Sequence, residues 1–349
     1  MPSKSRVYFL DALRAFAIIM MLQGHFISSV IDTSTLDTTH WGYRFWLYCR
    51  GFTAPVFFTI TGWIFTFLLL NEEHEQSNLR IKKGIKRGGE LLIWGYLLRL
   101  NLPSLLSGSI NGSFIQTDVL HIIGLSICFV ILLYVGLQYL KQHRIWIFLL
   151  AAVSLFLFEP LYNQLNLEVL PIYLASYLIK GYGGVFYLFP WLGYVFMGAT
   201  LAFFFNKKYS TCKSWILPFA LLGLLLIFIS SSFFSWAGDV FNLYFFKQVA
   251  KNNFLFIRLG DFFLLLSFFI FFQNRLQNRI WKFLGTNTLS LYIVHYFILY
   301  GSLSGFGLYK FYAHQLNVFQ TVLGLIFFLA TTIGIVFVFV FVLKNKIKR

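Results

Sequence analysis

Charge is scarce in this sequence. Only 11% of the 349 residues are Asp, Glu, Lys or Arg, whereas a soluble domain carries about 25%. With 58% hydrophobic residues and a mean hydropathy of +0.74, the shortage excludes a water-facing globular domain. It points instead to a chain that crosses a bilayer several times. Cysteine is scarce too. Cys49, Cys128 and Cys212 stand in or beside apolar stretches without CxxC spacing, which argues against a disulfide framework or a zinc site. No carboxylate–histidine group has metal-ligand spacing, no glycine-rich loop follows a strand and GxSxG is missing, so no metal is expected. No A-x-A cleavage site follows the first apolar stretch, which is therefore expected to remain as a span. No linker, low-complexity tract or soluble insertion interrupts the chain, and residues 1–349 read as a single membrane domain.

Aromatic residues, at 21%, are abundant and mostly Phe, as suits lipid-facing surfaces and interfacial belts. Ten apolar segments are predicted as transmembrane helices, near 7–30, 44–70, 88–106, 117–140, 145–159, 184–206, 214–233, 254–273, 284–303 and 318–343. The fold class is thus all-α: a polytopic integral membrane protein of about ten helices, expected in the bacterial inner membrane. The net charge of +16 is spread over short loops between the spans, a pattern of topology signals facing anionic lipid and not of nucleic-acid binding. Nineteen of the 28 Lys and Arg fall at the N-terminus (Lys4, Arg6), the C-terminus (Lys344 to Arg349) and alternate loops (Arg80 to Arg87, Lys141/Arg144, Lys207 to Lys213, Arg275 to Lys282). The opposite loops hold only Lys180, Lys247, Lys251 and Lys310. This asymmetry puts both termini in the cytoplasm. Oligomeric state is not readable.

The first span carries Asp11, Arg14 and His25. An ionisable group at mid-membrane costs roughly 2.5–3.5 kcal/mol on insertion scales, so each raises a functional question. Arg14 and His25 are about three helical turns apart, on one face and roughly 16 Å apart along the axis. Asp11 reaches Arg14 as an i,i+3 partner. The face therefore offers a neutralised cation toward the cytoplasm and an imidazole toward the outside. Arg258 and Asp261 can pair in the same i,i+3 manner. Glu90 and Arg99 share the third span on opposite faces, and each needs a partner elsewhere. Arg50 precedes a run kinked by Pro55. His121 and His295 suit either hydrogen-bonded packing or the lining of a cavity, and His40, at THWG, can join an outward site.

The segment LDALRAFAIIMMLQGHF resembles the opening of the transmembrane acyltransferases, approximately LDxLRGxAIxxMxxxH, with Ala15 where the family usually has Gly. RGFTAPVFFTITGWIF, QTDVLHIIGLS, PWLGYVFMGATLA and FLGTNTLSLYIVHYF follow in the order of the group related to heparan-α-glucosaminide N-acetyltransferase. Acyltransferase family 3, whose members O-acylate cell-surface sugars, shares the first-span pattern. The resemblance implies a donor, acyl-CoA (acetyl-CoA by family), and a saccharide acceptor whose hydroxyl or amine is acylated on the far side of the bilayer. It makes His25 the base or transient acyl carrier and Arg14, beside Asp11, a group that holds the donor. CoA phosphates need cations at the cytoplasmic mouth, for which Lys82, Lys83, Lys86, Arg87 and Arg99 are available. His40, Arg50, His121 and His295 are candidates to line the cavity. The competing class is a secondary transporter or exporter of a small polar solute, against which the lack of a convincing internal repeat counts.

Overall fold

The computed structural model describes residues 7–70, 74–109, 112–205 and 213–347. Lys4, Arg6, Lys207, Lys208, Cys212, Lys348 and Arg349 lie outside the described residues, as do the side chains of Lys344 and Lys346. Among the described residues all regular structure is helical, with two isolated bridges and no strand. The main helices are α1 (Tyr8–Val30), α2 (Trp41–Gly51), α3 (Thr53–Leu70), α4 (His74–Arg99), α5 (Val119–Gly136), α6 (Arg144–Leu157) and α7 (Leu188–Phe205). They are followed by α8 (Ile216–Phe228), α9 (Ser230–Val240), α10 (Phe254–Phe271), α11 (Arg279–Thr286), α12 (Thr288–Tyr300) and α13 (Val318–Ile347).

By length and composition, six stretches among the described residues can cross a membrane: Tyr8–Val30, Trp41–Leu70, Gly112–Gly136, Leu188–Phe205, Phe254–Phe271 and Val318–Val342. Lys213–Phe228 and Ser230–Val240, bent by 57°, make a seventh if they form one span. The other predicted spans fall on helices of a different kind. The segment predicted over 88–106 belongs to α4, whose first half is exposed and basic. That over 145–159 is the 14-residue α6. That over 284–303 is interrupted at Asn287 between α11 and α12.

The chain divides into two compact units. One comprises Met1–Thr53, Tyr96–Phe114 and Gln273–Arg349; the other comprises Ala54–Gly95 and Ile115–Phe272. In the second, α3 and α7 touch backbone to backbone. A Cβ at Gly62 would collide with the Val195 carbonyl, and one at Gly198 with that of Thr59. Lipid tails are as apolar as Leu, so membrane helices gain from such close packing where small residues permit it. Around this contact the unit buries Phe58, Trp63, Phe156 and Tyr194 almost completely.

In the first unit α1 is central. Phe9, Leu10, Leu13, Ala17, Leu22 and Phe26 are buried on it. Gly285 on α11 meets the Asp11 backbone so closely that a Cβ there would run into the Asp11 carbonyl oxygen. The chain leaves α12 through Gly301 in the left-handed region (φ 67°), where glycine carries no Cβ penalty.

Enlarging the α3–α7 contact should be costly. Gly62→Val or Gly198→Val is expected to destabilise the protein by about 1–3 kcal/mol or more through overpacking, read as a lower melting temperature in detergent. Gly89→Ala, which meets nothing within 4 Å, should leave the melting temperature within error of wild type.

Candidate active site

Three hydrogen bonds join α1 to α12 inside the first unit. Arg14 Nη2 donates to Thr288 Oγ1 at 2.9 Å. His25 Nδ1 and His295 Nε2 share a hydrogen bond of 3.0 Å. Ser29 Oγ and the Tyr300 hydroxyl stand 3.3 Å apart. Residue numbers rise together along both helices, so α1 and α12 run parallel. These groups meet one another across the seam instead of facing lipid.

The histidine pair is the centre of the seam. The ring centroids are 5.3 Å apart and the planes are inclined by 36°. His295 is fully buried, and His25 is half-buried. Tyr292 and Tyr296 present edges to the His295 ring at 5.0 and 5.7 Å, and Tyr300 presents its edge to His25 at 6.5 Å. The aromatic wall follows from Tyr at 292, 296 and 300, an i,i+4 series that puts all three on one helix face.

Arg50 joins this end of the unit. Its side chain lies on Gly24, where a Cβ would sit 3.4 Å from Arg50 Cγ, one residue before His25. Its guanidinium carbon is 5.8 Å from the centre of the Trp46 ring, and Trp46 Nε1 donates to Gln23 Oε1 at 2.9 Å. Both Arg50 and Arg99 are close enough for their fields to act on the Tyr300 hydroxyl. Arg99 also donates to the Ser113 carbonyl at 3.2 Å. His40 caps α2, its Nδ1 accepting from the Gly42 amide at 3.2 Å. With Tyr43 and Trp46 it lines a cavity of about 320 Å³ that reaches Ile27 on α1.

Arg99 stands apart from the other cations expected to hold the donor. The helix α4 is continuous from His74 to Arg99, so Arg99 stands 17 residues from Lys82, roughly 25 Å along the axis. Lys82, Lys83, Lys86 and Arg87 lie closer than Arg99 to the other end of this helix. Those four are exposed on the first half of α4, in the second unit, and Arg87 pairs with Glu90 at 3.3 Å. His121 also belongs to the second unit. It closes a capping box at the start of α5: Asp118 Oδ1 accepts from the Leu120 amide at 3.0 Å, and His121 Nδ1 takes the Asp118 amide at 3.2 Å. Arg258 and Asp261 form the expected i,i+3 ion pair at 2.9 Å. Asp11 is buried at the foot of α1, one turn before Arg14. Among the described residues no three His, Cys, Asp or Glu side chains gather as metal ligands would.

Six apolar helical stretches of span length among the described residues mark an integral membrane protein. Residues 6–236 match the family described as heparan-alpha-glucosaminide N-acetyltransferase, catalytic, and the chain belongs to that family. Membership makes it a membrane acetyltransferase in general terms. No curated protein and no solved structure matches the chain. The family match contains Asp11, Arg14, His25, Arg50 and Arg99, and ends before Thr288, His295 and Tyr300.

The cap at α5 gives a direct test of His121. Asp118→Ala should cost about 1 kcal/mol of stability, read as a lower melting temperature. His121→Gln keeps an acceptor at the third helical position, as in other capping boxes. It should retain both fold and activity, whereas loss of activity in a folded His121→Gln protein would assign His121 a chemical role.

Proposed function

We propose that the protein transfers an acyl group, acetyl in the first instance, from cytoplasmic acyl-CoA to a hydroxyl or amine of a saccharide on the outer face of the membrane. The observation that carries this reading is the His25 imidazole, half-buried on α1 and hydrogen-bonded to His295, in a chain of an acetyltransferase family. An imidazole of pKa near 6.5 accepts a proton close to neutral pH. The acceptor oxygen or nitrogen attacks the thioester carbonyl, its proton passes to His25, and the CoA thiolate leaves. If His25 attacks first, the acyl group rests on its ring before the acceptor takes it.

Arg14 and the exposed Lys82, Lys83, Lys86 and Arg87 supply cations for the donor's phosphates on the cytoplasmic side, and Asp11 tempers the charge of Arg14. Arg99 is kept as a further candidate cation for the donor, and Arg50, His40 and His295 as candidates to line the cavity. His121 is assigned a capping role. The ten-span topology with both termini cytoplasmic rests on the loop charge asymmetry; the parallel run of α1 and α12 fits any two spans of odd rank. The whole chain is read as one acyltransferase domain in the bacterial inner membrane, since the family match draws on both compact units.

Detergent-purified protein given radiolabelled acetyl-CoA and a mixture of glucosamine-containing and neutral sugars should move label to a sugar. His25→Ala should reduce transfer by about 10²–10⁴-fold in a protein that still melts cooperatively, at a temperature lowered by the loss of the bond to His295. Wild-type transfer in a folded His25→Ala protein would overturn the role of His25, and no transfer by wild type to any acceptor would overturn the saccharide assignment.

A further inference from the structure

We infer that His295 is the positioning residue for His25: it holds the His25 ring in the tautomer that carries its proton on Nδ1 and its lone pair on Nε2. The inference rests on the transferase reading above and deepens it. The bond runs from His25 Nδ1 to His295 Nε2 at 3.0 Å, so one of these nitrogens donates and the other accepts. A neutral His25 acts as base or nucleophile through Nε2 only when its own proton is on Nδ1 and is given to His295. When Nε2 takes the acceptor's proton, His25 becomes an imidazolium whose Nδ1–H still points at the His295 lone pair. That hydrogen bond is then charge-assisted and stronger. The pair binds one proton between its two facing nitrogens, so the two rings titrate as a unit.

Burial assigns the roles. His295 has no exposed surface and is held between Tyr292 and Tyr296, while His25 is half-buried. The ring with access reacts and the enclosed ring orients it. Carboxylates, which usually orient a catalytic histidine, are few in this unit. Its sequence contains only Asp11, Asp32 and Asp37. Asp11 is 14 residues before His25, roughly 21 Å along α1. Asp32 is bonded to the Ser34 amide and hydroxyl, and Asp37 to the amide and hydroxyl of Thr39. The remaining titratable groups around the pair are Tyr292, Tyr296 and Tyr300 on α12, Arg50 on α2, Arg99 at the end of α4, and Tyr309, which packs on Tyr300 and touches His314. Arg50 and Arg99 are cations and oppose a second positive charge. A neutral imidazole therefore takes the orienting place, and His25 stays a weaker base than a carboxylate partner would make it.

The test uses the full-length protein in detergent. Carbethoxylation of His25 by diethyl pyrocarbonate is followed by peptide mass spectrometry from pH 5 to 8, with acetyl transfer measured in parallel. Wild type should be modified at His25 with a sigmoidal pH profile. In His295→Ala the midpoint should fall by about half a unit or more, because the imidazolium loses its acceptor. In the same variant kcat should fall at least about tenfold with KM for acetyl-CoA unchanged. His295→Gln, whose side-chain oxygen can accept from Nδ1–H, should restore both toward wild type. If His295→Ala does not fold, His295→Gln and His295→Leu are compared in the same way. An unchanged midpoint and kcat in a folded His295→Ala or His295→Leu protein would overturn the inference, as would a wild-type His25 that resists modification at every pH. The carbethoxylation profile needs no acetyl transfer, so it judges the histidine pair even if the transferase reading fails.

Discussion

The interaction on which the first unit depends is the hydrogen bond between two imidazoles in a polar seam between two helices. Burying a polar group without a partner costs roughly 2–7 kcal/mol, and neither His25 nor His295 can turn to water without leaving its helix face. The two rings share one hydrogen bond, His25 Nδ1 to His295 Nε2, which fixes the rotation of α1 against α12. Arg14 with Thr288 and Ser29 with Tyr300 fix the same register two or three turns below and one turn above. The close contact of Gly285 with the Asp11 backbone brings α11 against the N-terminal end of α1. Chemistry and packing therefore have the same source: the groups that make the seam polar also give it a single geometry.

Much of this was legible in the sequence, because one helix carries its own signal. Hydropathy located α1, and the eleven-residue interval from Arg14 to His25 put both on one face. The partners were not legible. Thr288, His295 and Tyr300 lie about 270 residues downstream, and nothing in a span's own periodicity tells which other span it faces. His121 and His295 looked alike, each a lone histidine in or beside an apolar run. The aspartate three residues before His121 was the available clue to a helix cap. The tyrosines at 292, 296 and 300 were the clue that one face of α12 was polar-edged.

Arg99 shows how a hydropathy window misplaces a side chain. The apolar half of α4 begins near Gly88, and the span predicted over 88–106 takes in only that half, with Glu90 and Arg99 on opposite faces. The helix itself begins at His74, and its first half is basic and exposed. A continuous helix separates its two ends by its full length, so cations that look adjacent in a list lie far apart along it. The second unit met expectation more closely, since its ion pair Arg258–Asp261 and its glycine contacts are local or pairwise features.

The short helix α12 has a consequence for the lipid around it. Thirteen residues rise roughly 20 Å, against a hydrocarbon thickness of about 30 Å. A helix so short creates hydrophobic mismatch, which the bilayer relieves by thinning locally or by letting flanking polar residues reach the interface. Asn287 and the basic helix α11 stand at one end of α12, and Gly301 turns the chain away at the other. Both ends of the polar seam therefore lie at breaks in helical structure. A group carried along it from Thr288 to Tyr300 crosses about 18 Å, little more than half of an undisturbed membrane core.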